Sequence, residues 1–130
     1  MRWGKYYWIA LHTQAMNYPI QPTQTEVDRM SRFLQDFMHL LPCTVCAHHA
    51  EQYILKHPPT LQSRAEFEVW LHVFHNHVNL RVNKPTLSLA AARKSTLRRI
   101  LPPLPPQRRG ITIPLIVLLL LLLLIFLAYK

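Results

Sequence analysis

The feature that most constrains this chain lies near its end. From Ile111 to Tyr129 it reads "ITIPLIVLLLLLLLIFLAY", 19 residues without a charge. As a helix this run would extend about 28 Å at ~1.5 Å per residue, enough to cross a hydrocarbon core. The competing reading is a buried core helix. A domain made from the preceding ~100 residues is too small to cover a uniformly leucine-rich cylinder. The sequence therefore predicts a transmembrane helix over 111–129. Ahead of it come one folded domain, 1–101, and a Pro/Arg-rich linker, 102–110, reading "PPLPPQRRG" and suited to a stiff polyproline stalk.

No secretory signal precedes the domain, because Trp3, Tyr6, Tyr7 and Trp8 are interleaved with Lys5 and polar groups rather than forming a continuous apolar stretch. The pattern predicts a single-pass, tail-anchored protein. Arg108 and Arg109 sit just before the span and only Lys130 follows it, so the positive-inside rule places the domain on the cytosolic side. The net charge is +9, and all six acids lie at or before Glu68. Arg93, Lys94, Arg98, Arg99, Arg108 and Arg109 then form a basic run. Nucleic acid is one partner such charge could serve. A juxtamembrane segment resting on anionic lipid accounts for both the charge and its position, so no nucleic-acid partner is expected.

The apolar periodicity is helical throughout. A first helix is predicted over Lys5 to Tyr18, with Trp8, Leu11, His12 and Ala15 on one face and Pro19 and Pro22 beyond it. A second starts near Thr23, where Thr23 and Glu26 form a capping-box pattern, and carries Val27, Met30, Phe33, Leu34, Phe37, Met38 and Leu41 as its stripe. Pro42 suits the first turn of a third helix ending near His57. Ser63 and Glu66 repeat the capping pattern before Phe67, Trp70, Leu71, Phe74 and Val78, on a fourth helix reaching Arg81. A fifth is predicted from Ser88 to Leu101. The fold class expected is all-α: a four-helix bundle with a short fifth helix, plus the membrane helix.

The chain's two cysteines stand in "LPCTVCAHHA", Leu41 to Ala50. At a helix start, exposed backbone N–H groups and the helix dipole stabilise a thiolate at Cys43 or Cys46. Two intervening residues let the sulfurs join, an arrangement for reversible two-electron redox chemistry. A zinc site is an alternative, with His48 or His49 and His75 or His77 completing the four ligands; the protein would then be a zinc-stabilised membrane adaptor. Two inert buried thiols are a third reading. A thioredoxin-like fold lacks the βαβ pattern it needs here. A redox cofactor would explain Trp8 and His12 one turn apart, and "FHNHVNLRVNK", where His75 and Asn79 share a face with Arg81 and Lys84 beyond. Rings, amides and cations together suit a flat heterocycle joined to a diphosphate.

These segments resemble the Erv/ALR family of FAD-dependent sulfhydryl oxidases. "WGKYYWIALHTQAMNYP" is similar to the family's G-x-x-x-W-x-x-L-H segment and following Tyr-Pro at Gly4, Trp8, Leu11, His12, Tyr18 and Pro19. "LPCTVCAHHA" resembles its redox-active cysteine pair. "FHNHVNLRVNKP" resembles its H-N-x-V-N-x-x-x-x-K signature at His75, Asn76, Val78, Asn79 and Lys84. The three occur in the family's order over nearly all of residues 2–87, and the details are most similar to members encoded by large cytoplasmic DNA viruses.

The resemblance implies FAD held at one end of the bundle, a homodimer, a thiol-containing protein substrate or redox carrier protein, and O2 as the electron acceptor giving H2O2. It implies that Cys43 is attacked by substrate thiolate and that Cys46 lies nearest the flavin. It implies FAD contacts from Trp8, His12, Tyr18, His75, Asn79 and Lys84, with Gly4, Asn76 and Arg81 completing the cofactor-binding set, and no metal ligands. The chain departs from the cellular pattern in lacking a second, shuttling cysteine pair, so substrate would reach Cys43 directly or through a carrier. It also lacks the fifth-helix aromatic that often covers the adenine. The viral likeness implies disulfide formation in viral proteins, a domain facing the host cytosol, and a place in the virus particle.

Overall fold

The computed structural model describes residues 3–102 and 113–129. Among the described residues there are six helices and no strand: α1 Gly4–Asn17, α2 Gln24–His39, α3 Thr44–Lys56, α4 Arg64–Arg81, α5 Leu89–Ile100 and α6 Ile113–Ala128.

Local chemistry sets the boundaries. At α2 the capping box is complete: the Thr23 hydroxyl accepts from Glu26 N–H, and the Glu26 carboxylate accepts from Thr23 N–H at 2.7 Å. Ser63 and Ser88 cap α4 and α5 by accepting from Glu66 N–H and Ala91 N–H, both at 3.2 Å. Each such cap is worth about 1 kcal/mol. The third helix starts two residues later than Pro42. Cys43 takes the N-cap with extended backbone (φ −130°, ψ 106°), so Pro42 falls outside the helix. Sulfur acts there as the acceptor that a serine or aspartate usually supplies.

The predicted faces are the ones that pack. Leu11 and Ala15 of α1, Leu34 and Met38 of α2, Ala50 and Ile54 of α3, and Phe67, Trp70, Leu71 and Phe74 of α4 form one core. Val27, Met30, Phe33, Phe37, Leu41 and Val78 pack around its edge. Phe67, Leu71 and Leu34 are completely buried; burying such side chains stabilises the fold by ~1.5–3 kcal/mol each. Helix α1 packs on α4, α2 packs on α3, and α5 lies across α1 and α4. Two side-chain bonds fasten the core to the α3–α4 connection: Tyr18 OH donates to Leu61 C=O at 3.0 Å, and Trp70 Nε1 donates to His57 C=O at 2.9 Å.

Helix α6 has 16 residues, and its side chains from Val117 to Leu127 are exposed. Among the described residues no helix is long and apolar enough to cross a membrane. Sixteen residues rise about 24 Å, against a hydrocarbon thickness of about 30 Å. The predicted span began at Ile111, and Ile111 and Thr112 lie outside the described residues, as does the predicted linker beyond Pro102.

Candidate functional site

Cys43 and Cys46 are joined as a disulfide, with Cα atoms 5.1 Å apart. Both are half-buried, while Thr44 and Val45 between them are exposed. The Cys46 N–H donates to Cys43 Sγ at 3.2 Å, and Cys43 C=O accepts from Ala47 N–H. The first turn of α3 therefore aims a donor at one sulfur. When the pair is reduced, that donor and the helix dipole stabilise a thiolate on Cys43.

The second part of the site joins α1 to α4. The Trp8 indole and the His75 imidazole are stacked, with centroids 3.8 Å apart and planes 6° from parallel. His12 Nε2 and His75 Nδ1 are 2.9 Å apart, so one ring donates and the other accepts. Burial, and then the charge of His72, pushes His12 down to about 4. Burial, reinforced by His12, His72 and Lys84, pushes His75 down to about 3. Both rings are neutral at neutral pH, because an imidazolium here would lose its water and face other cations.

The end of α4 supplies amide and cationic groups. Asn79 is buried. Its carbonyl accepts from Lys84 N–H at 2.8 Å. Asn83 makes that return possible with φ 56°, the left-handed conformation that asparagine tolerates best after glycine. Lys84 and Arg81 are exposed, and the Arg81 guanidinium donates to His49 Nε2 of α3. Partial burial, then Arg81 and His48, lowers the His49 pKa.

Two residues of the predicted cofactor set have other work in the fold. Tyr18 is buried, and its hydroxyl is engaged by Leu61. The Asn76 side chain donates to Leu87 C=O at 2.9 Å and accepts from Leu87 N–H at 3.0 Å, so it clamps the α4–α5 loop. At Gly4 an added Cβ would meet nothing within 4 Å. Sequence reasoning missed the Asn76 clamp, and it missed that α5 covers the His12 side through Leu89, Ala92 and Thr96. Those residues, with Met16, Glu68 and Arg93, line a cavity of about 10 Å³. The Arg93–Glu68 ion pair at 3.9 Å helps hold α5 there. The histidines named for zinc go to different places: His49 to Arg81, His75 to His12, and His77 to the Tyr53 ring. Among the described residues no group of three or more His, Cys, Asp or Glu side chains could hold a metal ion.

An open disulfide, two neutral imidazoles, a stacked indole, a buried asparagine and two nearby cations together fit a flavin nucleotide. The fit rests on the chemistry of these groups. The comparisons agree with it. Residues 5–98 match the sequence profile of the Erv1 / Alr family. The chain is 39% identical over 88 residues to an FAD-linked sulfhydryl oxidase of African swine fever virus, covering 68% of this chain and 74% of the relative. It superimposes on the yeast Erv1 core with a TM-score of 0.68 and 37% identity, over 71% of this chain and 78% of that one. It also superimposes on the FAD-binding domain of Erv1 from Saccharomyces cerevisiae with a TM-score of 0.67 and 37% identity, over 70% of this chain and 87% of that one.

Proposed function

The chain belongs to the Erv1 / Alr family, and on that premise we propose the following reaction for an FAD-linked sulfhydryl oxidase. A substrate thiolate attacks Cys43 Sγ, the Cys43–Cys46 bond breaks, and Cys46 leaves as a thiolate. A second substrate thiolate then attacks the substrate sulfur of the mixed disulfide. It releases the oxidised substrate and leaves Cys43 reduced. Two electrons and two protons have now passed from the substrate dithiol to the cysteine pair.

FAD, when bound, supplies the acceptor that takes the pair back to the disulfide and passes the two electrons to O2, giving hydrogen peroxide. Trp8, His12 and His75 would hold its flat ring systems, the Asn79 amide would meet polar ring or sugar atoms, and Arg81 and Lys84 would face the diphosphate. The neutral state of His12 and His75 lets them stack and hydrogen-bond without placing a buried charge beside the cofactor. Cys46 would be the nearer partner of the flavin, and Cys43 would meet substrate. The observation that carries this reading is the disulfide at the start of α3 in a chain whose α1 and α4 bring Trp8, His12, His75 and Asn79 together.

The same reading extends to setting. The uncharged run 111–129 and the exposed leucines of α6 support an anchor in a membrane. Arg108 and Arg109 support a domain facing the cytosol. The likeness to a viral oxidase supports a role in forming disulfides of viral proteins, with the enzyme carried into the particle. Val69, Val73 and Leu80 are exposed along one stripe of α4 and support a homodimer. The substrate is a thiol protein or a carrier that reaches Cys43 directly.

A visible absorption spectrum of the purified chain tests the core of this. It should show a flavin band and near-stoichiometric FAD, and His75→Ala with Asn79→Ala should lower both the band and the melting temperature. A colourless protein with stoichiometric zinc would replace the oxidase with a metal-stabilised adaptor. Protease added to vesicles with their cytosolic face outward should degrade the domain; full protection would reverse the topology.

A further inference from the structure

Helix α5 has two unlike faces. Ala92 and Thr96 are buried toward α1 and α4, and Arg93 reaches Glu68. The opposite face carries Ala91, Lys94 and Arg98, which with Ser95 and Arg99 line an open groove of about 460 Å³. Lys94, Arg98 and Arg99 are exposed, and among the described residues none of them has an acidic partner. No acid follows Glu68 in the sequence. Ala91 and Ser95 are small, and they leave the cations standing clear of the helix. Sidedness of this kind is not what a merely solvated helix needs.

We propose that the outer face of α5 docks the helical domain onto an anionic bilayer. The inference rests on the membrane reading of residues 111–129. Only twelve residues, 101–112, separate α5 from α6. Even fully extended they reach about 45 Å, so an inserted apolar segment keeps α5 at a high local concentration near the surface. Phosphatidylserine-type headgroups attract each nearby Lys or Arg by roughly fivefold in equilibrium. Three such residues favour the docked state by on the order of 100-fold, within a screening length of about 8–10 Å. Helix α5 packs on α1 and α4, so a docked α5 brings that flank of the bundle to the lipid.

The test uses the full chain with its FAD, reconstituted in vesicles of phosphatidylcholine alone or mixed with phosphatidylserine. Energy transfer is measured from Trp3, Trp8 and Trp70, all in the helical domain, to a dansyl-labelled headgroup. Transfer should be higher on the anionic vesicles. The difference should vanish near ~1 M salt, where screening falls to about 3 Å, and in the combined variant Lys94→Gln, Arg98→Gln, Arg99→Gln. That variant should keep its helicity and its dithiol oxidation in solution, since all three side chains are exposed and touch no reacting group. Equal transfer on both lipids, or a difference that survives the three substitutions, overturns the proposal; a face that served RNA instead would give the first of these. Flotation on the neutral vesicles reports the apolar anchor separately. A chain that floats only on anionic vesicles, and loses this with the three substitutions, would remove the anchor reading and keep this one.

Discussion

The His12–His75 pair makes stability fall as pH drops through a defined window. An unfolded histidine titrates near ~6.5, whereas the folded pair is held down to about 4 and about 3. Both folded values lie below the unfolded one, so the unfolded chain binds protons first as pH falls. The stabilisation is complete above the unfolded value and is lost from there down to the folded values. At pH ~5 the unfolded state gains about 2 kcal/mol per histidine from protonation that the folded state refuses, or at most about 4 kcal/mol for the two. Against a typical 5–15 kcal/mol total this is a large fraction. Urea midpoints between pH ~7.5 and ~5, at fixed saturating FAD, should shift by about 2 M for a slope near ~2 kcal/mol per M. Joint replacement His12→Gln and His75→Phe, which removes both titrations and keeps a ring beside Trp8, should abolish most of that shift. A double variant with the full wild-type pH dependence would refute the assignment to these two rings.

Three further outcomes follow from single contacts. Asn76→Ala removes both bonds to Leu87 and should cost about 1–2 kcal/mol, with faster hydrogen exchange at Leu87 and easier trypsin cleavage after Arg81. Asn83→Gly should change stability by no more than a few tenths of a kcal/mol, whereas Asn83→Val, forced to φ 56°, should cost at least about 1–2 kcal/mol in thermal unfolding. Trp70→Phe deletes the bond to His57 C=O along with part of a buried ring, and a loss of about 1–3 kcal/mol in denaturant unfolding is expected.

What could be read in the sequence was what local rules govern. Thr23 with Glu26 and Ser63 with Glu66 marked helix starts because a cap and its partner lie three residues apart. The stripes of α1, α2 and α4 were visible because burial repeats with the helical period. The cysteine spacing allowed the two sulfurs to join, as they do, and the three motifs together identified the family. What the sequence did not reveal depends on chain return. His12 and His75 are 63 residues apart and meet only because α1 packs on α4. Asn76 sits among ligand-like residues, yet its amide clamps Leu87 across a loop whose path no short-range rule specifies. Tyr18 reads as a motif residue, and its hydroxyl proves to bolt α1 to Leu61. The start of α3 moved because a cysteine sulfur, not a residue of ordinary capping type, accepts the Cys46 N–H.

The central claim is that the Cys43–Cys46 disulfide is the centre through which substrate electrons reach the flavin. An anaerobic titration of the purified, FAD-loaded chain with a small dithiol, followed in the flavin's visible band, tests it most directly. The wild-type protein should bleach with one equivalent of dithiol, while Cys43→Ser and Cys46→Ser, folded and loaded with FAD, should stay yellow on the same timescale. Bleaching of either variant at the wild-type rate would contradict the account.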